Sequence, residues 1–196
     1  MKIGFVVYQG MNLLEFALLY DPLTRIKTMG FDQGLSWDLV SYTLLGGDDR
    51  GLELTPTRMG GHLREYDILV IPGGDTARKL CNDEGFIFWL SSGAQVPVRC
   101  ASGLGVLMAG MGGLLLGARA AAPQILHAAL ERVCKSPEDV PFLSDKHCLT
   151  CQGGLSALLL SLHLVQRLQG EKIRDLILQR IAGEYAEKGL LIPGGK

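Results

Sequence analysis

Cys100 is the residue best placed to do chemistry. Pro97-Val98-Arg99-Cys100 reads as a short strand, and an apolar helix follows from Leu104. A thiol at such a strand-turn-helix bend stands above a sheet, near the unpaired N–H groups of the next helix. Those groups lower a thiol pKa and favour the reactive thiolate. Ala101, Ser102 and Gly103 are small enough for a crowded bend. The plain alternative is a buried, inert cysteine. Pro72-Gly73-Gly74 also follows a strand, and its glycines let backbone N–H groups face a ligand. The N–H groups of Gly74 and Ala101 are expected to hold developing negative charge, as an oxyanion hole does. Glu15 is the third candidate. It lies in an otherwise apolar run, Leu13 to Leu19, three residues after Asn12. That spacing also fits a capping box. The functional reading is a carboxyl at the cleft, raised in pKa beside a thiolate and able to act as acid or base.

These residues need a frame. Lys2 to Tyr8, Trp37 to Thr43, Asp67 to Ile71, Pro97 to Cys100 and His147 to Thr150 read as strands. Leu13 to Thr28 has helical spacing, and Pro22 is expected to kink or restart it. Thr76 to Leu80, Glu84 to Ser92, Leu104 to Met111, Leu126 to Val133, Gly154 to Leu168 and Glu171 to Ala186 read as helical. Leu45 to Gly51 is read as a polar turn, and Leu52 to Arg58 as a short exposed strand. Strands alternating with helices imply a three-layer α/β sandwich with a mainly parallel central sheet. Ligands sit at the carboxyl ends of such strands. The loops Gln9 to Glu15, Pro72 to Thr76 and Arg99 to Gly103 gather there.

Composition narrows the class. The 196 residues fit one domain, 1–196, and 47% hydrophobic against 20% charged residues excludes a disordered chain. Lys+Arg 19 against Asp+Glu 20 leaves a net charge of -1, without the basic footprint of a nucleic-acid or anionic-membrane binder. No secretory signal or membrane-length apolar run is visible. Five cysteines without an export signal suit reduced thiols and a cytoplasmic setting. Cys148-x-x-Cys151 lacks the second pair a structural zinc site needs, and strand positions three apart face opposite ways. These two, with Cys81 and Cys134, are read as packing, and no metal site is expected.

The combination resembles the ThiJ/PfpI superfamily, which has the class I glutamine amidotransferase-like, flavodoxin-like fold. The likeness runs from Ile3-Gly4-Phe5 and Leu14-Glu15-Phe16 through Asp67-Ile68-Leu69-Val70-Ile71-Pro72-Gly73-Gly74 and Cys100-Ala101-Ser102-Gly103 to the last two helices. Leu14 to Leu23 is similar to a segment of the isonitrile hydratase-like branch. The resemblance implies Cys100 as nucleophile, Glu15 as the catalytic carboxyl, and addition of water to an isonitrile to give an N-substituted formamide. It implies no cofactor. The departures are specific. The branch has Cys-Thr-Gly where this chain has Cys100-Ala101-Ser102. A Thr-Thr-His-Trp type segment is replaced by Ala121-Ala122-Pro123-Gln124. His127, one helical turn beyond Pro123, is a candidate shifted base, and Arg99 a candidate thiolate partner.

The leading expectation is therefore a cysteine-dependent hydratase or hydrolase acting on a small electrophilic carbon. Cys100 attacks, Glu15 handles the proton, and Gly73, Gly74 and Ala101 line the substrate. Glyoxalase-like or deglycase-like activity on dicarbonyl adducts is an alternative. The competing class is a non-catalytic redox sensor or small-ligand binder on an altered scaffold. A homodimer is expected, with a small molecule as partner and no nucleic acid or membrane. The chain is also expected to carry no helix-turn-helix domain after its last helix.

Overall fold

The computed structural model describes residues 1–183. In chain order the elements are β1 (Lys2–Val6), α1 (Leu13–Thr28), β2 (Ser36–Ser41), β3 (Gly46–Gly47), β4 (Glu53–Leu54), β5 (Arg58–Met59), β6 (Ile68–Ile71), α2 (Ala77–Leu80) and α3 (Glu84–Ser91). There follow β7 (Val98–Ser102), α4 (Leu104–Met111), β8 (Arg119–Ala121), α5 (His127–Leu130), β9 (Ser136–Glu138), β10 (Phe142–Asp145), β11 (Cys148–Cys151), α6 (Ser156–Gln169) and α7 (Glu171–Ala182). The helix expected to reach Ala186 is seen to Ala182, and 184–186 lie outside the described residues.

Seven strands form the central sheet in the order β10-β11-β7-β6-β1-β2-β5. All neighbours are parallel except β10, which returns antiparallel against β11. The buried runs Phe5-Val6 and Ile68-Leu69-Val70-Ile71 show why: strands covered on both faces are apolar throughout. On one side α1 packs on α6 and α6 on α7; on the other, α2 and α3 meet α4. The mainly parallel, three-layer architecture is as expected. Among the described residues no helix is long and apolar enough to cross a membrane.

Several local readings change. Pro22 sits inside a continuous α1, where Thr24 Oγ donates to the carbonyls of Tyr20 and Asp21. The segment around Gly46-Gly47 is half of a small hairpin rather than a turn alone, and Leu52 to Arg58 holds β4 and the first residue of β5. The stretch between α5 and β11, which carries no assigned element in the sequence reading, contains β9 and β10. The change that matters most lies in β7. It runs two residues past Cys100, to Ser102, because its ladder with β6 and β11 continues: Ala101 pairs with Ile71 and Thr150, and Ser102 with Cys151.

Candidate functional site

The bend between β7 and α4 falls at Gly103, with φ +52° and ψ −127°. Residues with a Cβ rarely hold that conformation, so glycine is the natural occupant. Cys100 lies three residues earlier, inside the sheet, facing Val70 on one side and Leu149 on the other. It is fully buried. Burial pushes its thiol far above the usual range, and the neighbouring thiols of Cys148 and Cys151 push it further. The expectation of an exposed, thiolate-forming nucleophile at Cys100 is thus corrected. The strand is longer than its local sequence suggests, and the position at the bend carries no side chain.

Glu15 is where chemistry converges. It is 6% exposed. Asn12 caps α1, its Oδ1 accepting from the Glu15 N–H at 3.2 Å. The reciprocal half of a capping box is absent, because the Asn12 N–H donates instead to the carbonyl of Gly73 at 2.7 Å. That frees the Glu15 carboxyl to turn toward the ends of β6, β7 and β11. Its Oε2 accepts from Ser102 Oγ at 2.6 Å and from the Gly73 N–H at 3.0 Å. Its Oε1 accepts from the Gly154 N–H at 3.2 Å. Three contacts on two oxygens fix the carboxyl in one orientation. The loops after β6 and β11 supply two of those donors, and Ser102 at the end of β7 supplies the third.

Glycines make the approach possible. A Cβ on Gly103 would lie 3.0 Å from Oε1 and 3.1 Å from Oε2 of Glu15. One on Gly73 would lie 2.7 Å from Oε2, and one on Gly153 2.6 Å from Oε1. Gly74 is needed for a different reason: a Cβ there would fall 2.3 Å from the Gly10 carbonyl oxygen. Beside Gly74 opens a cleft of about 270 Å³, lined by Met11, Asn12, Leu14, Arg50 and Asp75 among others. Tyr8 reaches the same edge and donates to the Pro72 carbonyl at 3.0 Å. Burial, then the charge of Glu15, holds its hydroxyl well above the usual phenol range.

The remaining candidates divide. Gly73 is in the site as a donor, and Gly74 lines the cleft. Ala101 is a correction: it sits in the sheet between Ile71 and Thr150, so its N–H does not face the cleft. The first free helix N–H after the bend belongs to Leu104. Arg99, near the opposite end of β7, donates to the carbonyl of Ala94 and approaches Cys148 Sγ at 3.6 Å. His127 Nε2 lies 3.1 Å from the Ala122 carbonyl, in α5. Neither Arg99 nor His127 meets Glu15. Cys148 and Cys151 are free, buried thiols on β11. Among the described residues no group of three His, Cys, Asp or Glu side chains can hold a metal.

The sequence marks Ser102 and Gly103 only as small residues at the bend, and the roles of Gly153 and Gly154 emerge from the structure. A signal existed for two of them. The doublet Gly153-Gly154 directly follows a strand, as Gly73-Gly74 does.

No family model matches the chain. It is 28% identical over 188 residues to the isonitrile hydratase of Pseudomonas putida, covering 95% of this chain and 79% of that protein. A ThiJ/PfpI family protein from Pseudomonas syringae superposes with a TM-score of 0.78 at 22% identity, over 93% of this chain and 75% of that one. An AraC family transcriptional regulator from Pseudomonas putida superposes with a TM-score of 0.76 at 20% identity, over 92% of this chain and 99% of that one.

Proposed function

For this chain, a divergent member of the ThiJ/PfpI superfamily, we propose a non-catalytic role in binding a small ligand at the strand-edge cleft. The observation that carries the reading is Gly103. The strand-to-helix bend that could present a side chain to a substrate is occupied by a residue that has none. The Glu15 carboxyl opposite it is held by Ser102, Gly73 and Gly154. A cradle around a carboxyl, with no nucleophile at the bend, suits recognition rather than covalent turnover. The likeness to a transcriptional regulator supports a sensing role on this scaffold.

Isonitrile hydration remains the finer alternative that the likeness to the Pseudomonas putida enzyme supports. It requires a reacting group other than Cys100, whose sulfur has no exposure. Redox sensing through Cys100 meets the same obstacle, since oxidation follows thiolate character and access. Dicarbonyl chemistry initiated by that thiol does too.

One experiment separates these readings. The protein is incubated with isonitriles and with dicarbonyl adducts, and turnover is followed together with intact mass. In parallel, amide resonances of Gly73, Gly103 and Gly154 are followed while a small-molecule panel is added. Reversible shifts at those amides without product or mass gain are expected. Product formation, or a covalent adduct on Ser102 or any cysteine, overturns the binding-only reading.

A further inference from the structure

A second recess, which shares no lining residue with the cleft beside Gly74, lies between the end of β2, the turn before β6, and α3. It has a volume of about 620 Å³. That is within the range of small-molecule sites. Its walls are aromatic: Tyr42, Phe88 and Trp89 all line it. Tyr42 and Trp89 have ring centroids 5.9 Å apart, and both pack on the buried Phe86.

The walls are held in place rather than loosely exposed. Trp89 Nε1 donates to the Gly61 carbonyl at 3.0 Å, which fixes the indole plane. Tyr42 lies against the first turn of α3, where a Cβ on Gly85 would come within 2.5 Å of its hydroxyl oxygen. Glycine at 85 is what lets the phenol ring form that wall. Phe88, one helical turn on from Gly85, is 81% exposed and forms the other side.

Arg64 is the charged side chain among the residues lining the recess. His62 and Arg64 line it, and no Asp or Glu does. The neighbouring arginine, Arg58, is paired with Glu65 at 2.7 Å. Arg64 has no carboxylate within ion-pair distance among the described residues. A guanidinium with all its donors free, beside a slot of flat apolar walls, matches a ligand that is flat, apolar and anionic at one end.

We propose that this recess binds a small aromatic carboxylate. The ring lies between Phe88 and the Tyr42–Trp89 pair, and the carboxylate meets Arg64. The site is separate from the Glu15 cradle, so its occupancy does not depend on the role assigned there.

The test uses 1-naphthoate, with 1-naphthylmethanol and 1-naphthylmethylammonium as neutral and cationic counterparts. The readout is the Trp89 indole N–H and the Gly85 amide in a nitrogen-resolved NMR titration. The expected result is saturable shifts at both signals, with naphthoate about five- to tenfold tighter than the alcohol and the ammonium weakest. Arg64→Gln removes the preference for the acid, and Phe88→Ala weakens all three probes. Both residues are exposed, so neither variant threatens the fold. Equal binding of acid and alcohol overturns the proposal, as does absence of saturable shifts. Shifts that follow protein concentration instead of probe concentration overturn it in favour of a second copy of the chain on this face.

Discussion

Glu15 and Gly103 face each other across the bend that joins β7 to α4, 88 positions apart in sequence. Both carboxylate oxygens lie within 3.1 Å of the point where a Gly103 side chain would begin. Gly103 therefore occupies the place from which a nucleophile would address the acid.

Gly103→Cys should put a thiol there. Native-state labelling with a disulfide reagent, mapped by peptide mass, is then expected at residue 103 in addition to the part-exposed Cys81 and Cys134 of the parent protein. Positive φ and the close carboxylate should lower stability by about 1–3 kcal/mol. Gly103→Ala, measured by the same denaturant curves, isolates that strain. Absence of label at residue 103 would falsify the assignment of the bend to this residue.

Cys100 should behave as a core residue. Cys100→Ala is expected to cost roughly 1–2 kcal/mol through the small cavity it leaves. Ligand-induced shifts at Gly73 and Gly154 should be unchanged. Rapid native alkylation of Cys100, read by peptide mass mapping, is the contrary result.

Ser102 and Glu15 should couple. Ser102→Ala removes the donor of the 2.6 Å bond to Oε2. Glu15→Gln keeps the shape but leaves an amide nitrogen facing an N–H donor. Each is expected to lower unfolding free energy by about 1.5–3 kcal/mol. The double variant should lose less than the two effects added, since each removes the same bond. Strict additivity in urea unfolding argues against the pair.

Stability should fall in alkali. Cys151 is pushed up to about 12, first by burial and also by the charge of Glu15. The unfolded thiol ionises near 8.5. Between those values the unfolded chain has released a proton that the folded chain keeps. Stability is thus full below about pH 8.5 and declines by about 1.4 kcal/mol per pH unit for each such thiol. Cys100, raised for the same reason, adds to the slope. Denaturation midpoints between pH 8 and pH 10 measure it, and Cys151→Ala should flatten it. An unchanged midpoint across that range contradicts the burial of these thiols.

Much of this molecule is written locally. Buried strands such as Ile68 to Ile71 are apolar on both faces, and α1 and α6 show helical spacing, so a parallel three-layer sheet follows from pattern alone. Glu15 after Asn12 and the pair Gly73-Gly74 after a strand are legible in the same way, because capping and tight turns depend on neighbours in sequence. The end of β7 is not. Ala101 and Ser102 have no strong preference of their own, and they are strand because Ile71, Thr150 and Cys151 stand beside them. Those partners lie tens of residues away, so only the assembled sheet decides that the bend falls on Gly103 and that Cys100 is sealed inside. Likewise the donors to Glu15, at 73, 102 and 154, meet only because parallel strands deliver their carboxyl ends to one edge.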